Sequence, residues 1–171
     1  MQMSQIEIIE KEIGNVIEIE EKIPMWKMPF FMKKNYKRIM DYIDTHNKDS
    51  AGIVYARYLN VDWESLINKS SFRNFIDIFI QKWHFCAGIS TSLKLEDHDN
   101  IKSNFIQNKK YVKIIHYGDY RKLSDAYKEL YRLSKEQSIL LKNESIEIYM
   151  NDPKTTKKED LETTILVAIK E

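Results

Sequence analysis

Apolar and charged residues alternate near the start of the chain. Ile17, Glu18, Ile19 and Glu20 put the two kinds on opposite faces of an extended strand. Ile6–Glu7–Ile8 begins the same alternation earlier, with a break expected at Gly14. Pro24 and Pro29 then bracket an apolar, aromatic segment, PMWKMPFF. From about Phe31 to His46 the period changes. Met32, Tyr36, Ile39, Met40 and Ile43 recur at helical spacing with Lys and Asp between them, which predicts an amphipathic helix. AGIVYARYL at 51–59 is rich in β-branched and aromatic residues and reads as a strand. Phe72, Phe75, Ile76, Phe79 and Ile80 favour a helix within 61–82, although the composition there also suits a strand. KWHFCAGISTSLKL at 82–95 reads as a strand and LEDHDN at 95–100 as a polar turn.

The second half repeats the order. KKYVKIIHY at 109–117 is a strand, punctuated by Gly118 and Asp119. Asp119 is placed to accept from the free N–H groups of the next helix, marked by Leu123, Tyr127, Leu130, Tyr131 and Ser134. ESIEIYM at 144–150 is a strand, NDP at 151–153 a turn, and Leu161 to Ile169 the last strand. Both halves therefore read strand, helix, strand, strand. The one local echo is Ile53–Val54–Tyr55 against Glu147–Ile148–Tyr149; aligning the tyrosines sets Ile53 opposite Glu147, so only the second half carries an acid there.

Composition narrows the function classes. The chain has 171 residues, enough for one domain with a substantial core. Lys and Arg total 27 and Asp and Glu 26, interleaved along the chain, so no basic face is set aside for phosphates and direct nucleic-acid binding is not expected. No apolar run approaches the roughly 20 residues of a membrane span, and no membrane partner is expected. The N-terminal sequence lacks a secretory pattern, and Cys86 stands alone, so a disulfide framework is excluded and a cytoplasmic location is expected. No metal or cofactor is expected. His46, His84, His98 and His116 have no metal-site spacing with Cys86 or an acid, EDHD at 96–99 lacks the glycine and spacing of a calcium loop, and no nucleophile or phosphate-loop motif is present.

HYGDY at 116–120, AYKELYRL at 126–133, IEIYMNDP at 146–153 and EDLETTILVAI at 159–169 form an ordered series. This series resembles the GyrI-like effector-binding family, whose second module carries a His-x-Gly-Pro-Tyr turn, a helix with spaced aromatics, a Glu-x-Tyr strand followed by Asp-Pro, and a last strand with Glu-Leu-x-Thr. Asp119 stands where proline is usual; both suit a helix start. In the first half only the strand order and WHFCAGIST at 83–91 resemble the family. The resemblance implies an α+β fold: duplicated strand-helix-strand-strand modules form a curved antiparallel sheet, with two main helices and a ligand cavity between the halves. It implies one domain over 1–171, with module one about 1–95 and module two about 109–171. The family includes drug-sensing domains of transcription regulators, gyrase-inhibitory proteins and hydrolases of strained electrophiles. A stand-alone member is the expectation here.

The strand 144–150 carries the candidate site. Ser145, Glu147 and Tyr149 face one way, and Ile146, Ile148 and Met150 the other. The apolar face is expected to pack on the helices and the Glu147 face to look into the cavity. Without the resemblance, a surface glutamate on an edge strand would be the plainer reading; in the family the matching glutamate contacts cationic, aromatic drugs. A carboxylate in an apolar pocket attracts a delocalised cation and has a raised pKa when empty. Tyr149, Trp83, Phe85, Tyr111, Tyr117, Tyr55 and Trp26 are the candidate aromatic liners, each with core packing as its default. His116 is expected to order the Gly118 turn. Three functions follow: a binding module for hydrophobic, cationic aromatic compounds; a hydrolase with Glu147 as general base; and a partner of a transcription regulator or of DNA gyrase.

Overall fold

The computed structural model describes residues 5–46, 51–64 and 81–170. The expected helix within 61–82 falls for the most part outside them. Among the described residues are eight strands and two helices, in an α+β arrangement. The strands are β1 (Glu7–Lys11), β2 (Gly14–Pro24), β3 (Val54–Leu59), β4 (Lys82–Ser90), β5 (Lys102–Ile106), β6 (Lys109–Tyr117), β7 (Leu141–Tyr149) and β8 (Glu162–Ile169). The helices are α1 (Met28–His46) and α2 (Leu123–Glu136). β2–α1–β3–β4 and β6–α2–β7–β8 reproduce the repeated order read from the sequence.

All eight strands pair antiparallel in the order β1-β6-β8-β7-β3-β4-β2-β5. The two halves meet at the central β3–β7 pair. The order also forces the sheet to curl. β1 is at one edge and β2 is next to the other, yet only Glu12 and Ile13 separate them. Likewise Gln107 and Asn108 alone separate β5 from β6. The two ends of the sheet must therefore approach each other, and Ile13 N donates to Ile106 O at 3.2 Å where they do. Gly14, with φ of +84°, turns this corner in a conformation that side chains disfavour.

Each face of the curled sheet has its own apolar cluster. The first joins Ile39 and Ile43 of α1 and Leu130 of α2 to Ile19, Ala56, Ala87, Ile114 and Ile165 of the sheet. The second, on the opposite face, joins Val16, Tyr55, Tyr111, Ile146, Ile148 and Leu166. Both faces are buried, so the strand alternation does not separate core from solvent. Glu18 shows the consequence: expected on a polar face, it is buried. There it accepts from Tyr55 Oη at 2.8 Å, Asn104 Nδ2 at 3.1 Å and the Arg57 guanidinium.

Several boundaries differ from the sequence reading. α1 begins at Met28, three residues early, because Pro29 sits in its first turn, where a missing N–H costs nothing. β4 ends at Ser90 rather than Leu95. β5, short and of mixed polarity, has no signature in the local sequence pattern.

Candidate ligand-binding site

Glu147 lies in the C-terminal half of β7, directly opposite Ala56 of β3 and Ile165 of β8. The row continues through Ala87 to Ile19 on one side and to Ile114 on the other. These neighbours belong to the cluster shared with the helices. The expectation that the apolar face of β7 packs on the helices is therefore corrected. Ile146 and Ile148 turn to the second cluster, and the Glu147 face lies under the helices.

The carboxylate is 2% exposed and accepts three tyrosyl hydroxyls. Tyr127 Oη of α2 donates to Oε1 at 2.9 Å. Tyr149 Oη donates to Oε2 at 2.9 Å, and Tyr58 Oη of β3 to the same oxygen at 3.1 Å. Ala56 and Ala87 are the small residues on the floor of this face beside the acid, which leaves room for large rings above them. Tyr58 also meets Phe85 edge-on, with centroids 5.0 Å apart, and Tyr120 meets Tyr149 edge-on at 5.5 Å. Trp63 lies against Tyr127 and donates through Nε1 to Lys142 O at 2.8 Å.

Burial pushes the Glu147 carboxyl above its ordinary pKa, and the three phenolic donors oppose that rise by stabilising the anion. Burial, and then the nearby Glu147, hold Tyr36, Tyr58, Tyr127 and Tyr149 well above the ordinary phenol range. These hydroxyls therefore keep their protons and act as donors. Among the described residues no basic side chain forms an ion pair with Glu147. A buried carboxylate without a counter-charge carries a desolvation cost of several kcal/mol, of which hydrogen bonds to an ion return ~1.5–3 kcal/mol each.

The other sequence candidates divide between the two faces. Phe85 and Trp83 share the Glu147 face; Phe85 touches Tyr58, and Trp83 is half-buried at the edge of the same cluster. Tyr55 and Tyr111 lie in the second cluster, on the opposite face. The strand period explains Tyr55: register sets Ala56 against Glu147, so its neighbour Tyr55 must point away. Tyr117 shares the parity of Tyr111 and is 63% exposed. Trp26 is 45% exposed in the 3-10 turn before α1, with Lys27 Nζ 5.2 Å above its ring. Tyr58 and Tyr127 are the site residues the sequence reading missed. Helical spacing marks Tyr127 only as part of α2, and the echo of Tyr149 in the sequence points to Tyr55 rather than Tyr58, which stands two residues beyond the position opposite Glu147.

The turn before α2 is built as its residues suggested. Asp119 Oδ1 accepts from Arg121 N at 2.9 Å and opens a 3-10 turn at Tyr120–Lys122. His116 Nε2 lies 3.1 Å from Asp119 O, a geometry in which that nitrogen donates. Gly118, with φ of +108°, donates to Leu161 O at 2.8 Å. A surface groove lined by Lys94, Leu95, Glu96, Asp97 and Ser103 lies near the C-terminal end of α1, away from Met28, which contacts Tyr58.

A curled antiparallel sheet with two helices on one face, and a buried acid beneath them, defines the class. The chain belongs to the family described as GyrI-like small molecule binding domain, which it matches over residues 79–170. It is thus a small-molecule-binding domain. Among solved structures it resembles the C-terminal domain of EcmrR, with 16% identity, a TM-score of 0.78 and 99% of each chain covered. SAV2435 bound to tetraphenylphosphonium is similar at 14% identity and a TM-score of 0.61, covering 99% of this chain and 94% of that one. A hydrolase from Listeria innocua is similar at 10% identity and a TM-score of 0.62, covering 97% and 92%. A search of curated proteins found no match. No helix among the described residues is long and apolar enough to cross a membrane.

Proposed function

We propose that this chain binds hydrophobic, cationic aromatic compounds on the Glu147 face, and so senses or sequesters them. One observation carries the reading: a buried carboxylate held by three neutral hydroxyls, with no cationic partner among the described residues. Such a group attracts a delocalised cation strongly, because the low dielectric that disfavours the lone anion also strengthens its attraction to the ligand. Tyrosine and phenylalanine rings add apolar area and cation–π attraction. SAV2435, similar in fold, was solved with tetraphenylphosphonium, a lipophilic cation, and this supports the ligand class. Cys86, buried and free of any disulfide, suits a cytoplasmic setting.

The test is titration with tetraphenylphosphonium, read by tryptophan fluorescence and calorimetry, for the wild type and Glu147→Gln. The expected result is saturable binding that weakens at least about tenfold in the variant. Binding indifferent to Glu147 would overturn the reading.

A hydrolytic role is the second reading, favoured by the raised pKa of Glu147 and by the fold shared with a Listeria innocua hydrolase. The tyrosines retain their protons, so Glu147 is the base it would use. Turnover of a strained electrophile, lost in Glu147→Gln, would support it; tight binding without product would exclude it for that compound.

A further inference from the structure

The β3–β7 pair relates the two halves residue by residue. The register pairs Ala56 with Glu147, Tyr58 with Ser145 and Val54 with Tyr149. A two-fold axis through the Ala56–Glu147 pair exchanges those two residues, and also exchanges Tyr58 with Tyr149 and Val54 with Ser145. The same sequence offset relates Tyr36 to Tyr127, Ile39 to Leu130 and Ile43 to Ser134 in the helices. The last two pairs are buried at both members. Across the sheet, the Ala87 and Ile19 neighbours of Ala56 correspond to the Ile165 and Ile114 neighbours of Glu147. One correspondence thus holds through strands and helices together. It replaces the sequence alignment that matched Tyr55 with Tyr149.

Among the described residues the site therefore holds two equivalent pairs of tyrosines, Tyr36 with Tyr58 and Tyr127 with Tyr149, but one acid. Their hydroxyls show the asymmetry. Tyr127 Oη reaches Glu147, whereas Tyr36 Oη, with only a methyl at Ala56, donates to the backbone oxygen of Tyr55 at 2.6 Å. The matching place in the first half carries the tyrosines of an acid site without the acid.

We propose that Ala56 determines the charge of the ligand: by supplying a methyl where its symmetry mate is Glu147, it makes the site selective for singly over doubly charged aromatic cations. The inference rests on the cation-binding reading of Glu147. One carboxylate neutralises one buried charge; a second charge on the same ring system would enter an apolar site unpaired, at a cost of desolvation. An acid at position 56 would supply the second counter-charge, with Tyr36 and Tyr58 in the places that correspond to those of Tyr127 and Tyr149 beside Glu147.

The probes are N-methyl-4-phenylpyridinium and N,N′-dimethyl-4,4′-bipyridinium, two biaryls of similar size with one and two charges. Calorimetry on the full chain should show the monocation bound about tenfold or more tightly by the wild type. Ala56→Glu should narrow or reverse that ratio, and Ala56→Gln, of matched size without charge, should not. The exchange variant Ala56→Glu with Glu147→Ala keeps a single carboxylate and moves it across the axis. It should regain monocation binding that Glu147→Ala alone loses. A wild-type ratio near one, a folded Ala56→Glu protein with an unchanged ratio, or a folded exchange variant that regains nothing would each overturn the role of Ala56. If Ala56→Glu fails to fold, the wild-type ratio and the exchange variant still decide. Monocation binding that survives Glu147→Ala, or is absent from the wild type, would instead overturn the underlying cation-binding reading.

Discussion

Tyr127 of α2 and Glu147 of β7 are joined by a hydrogen bond of 2.9 Å that ties a helix to the buried centre of the sheet. It is one of the contacts that hold α2 over the second half, and it sets the electrostatics of the acid. Tyr127→Phe removes one donor from the anion without removing the ring. The Glu147 pKa should rise further above its ordinary value, because desolvation then meets less opposition. NMR titration of the Glu147 carboxyl carbon should show the shift; an unmoved midpoint would mean that the hydroxyl does not stabilise the anion.

The raised pKa of Glu147 also predicts a pH dependence of stability. The folded state holds the proton more tightly than the unfolded chain, so its stabilising contribution is complete below the unfolded pKa and is lost as pH rises through the folded value. Glu147→Gln lacks this titration. The stability difference should therefore move in favour of Glu147→Gln as pH rises across that window, as read by urea unfolding at several pH values. Cation binding should run the other way in the wild type and weaken as pH falls through the folded pKa. A stability difference independent of pH would contradict the burial effect.

Gly88 carries the ring of Tyr55 on the second face. A Cβ at Gly88 would come within 2.3 Å of Tyr55 Cζ and 2.4 Å of its hydroxyl oxygen. Gly88→Ala must displace the ring and with it the 2.8 Å bond from Tyr55 to Glu18. A loss of ~1–3 kcal/mol in unfolding free energy is expected. Unchanged stability would show that Tyr55 relocates without cost.

Glu18 is the counter-charge of Arg57, whose side chain is 13% exposed. Arg57 also lies 3.7 Å from Glu144, which in turn pairs with Lys109 at 3.1 Å. Glu18→Ala leaves Arg57 with a weaker, longer pair and strands the Tyr55 and Asn104 donors. The expected cost is ~3–5 kcal/mol in chemical denaturation. Removing both charges, as Glu18→Ala with Arg57→Met, should cost less than Glu18→Ala alone. The opposite order would show that Arg57 does not depend on Glu18.

Most elements were legible locally. Helical spacing from Met32 to Ile43 and the apolar, β-branched runs within 109–117 and 161–169 are signals carried within a few residues, and each is the expected element. The parity of Ser145, Glu147 and Tyr149 was also legible, since neighbouring strand residues must point to opposite faces. β5 was not, because KSNFI is short and mixed and owes its extension to pairing with β2.

The sequence by itself determined which residues of β7 share a face, whereas the residue that answers to Glu147 in the first half, Ala56 and not Ile53, was set by the β3–β7 register. Which face the helices cover, and which tyrosines reach that acid, were decided by tertiary structure. The physical reason is that the curl buries both faces of the sheet. Polarity then no longer marks inside from outside, so Glu18 is enclosed although its alternation reads as solvent-facing. The partners of Glu147 follow from register between distant strands: Tyr58 approaches it across the β3–β7 pair, and Tyr127 descends from a helix whose placement depends on the whole sheet.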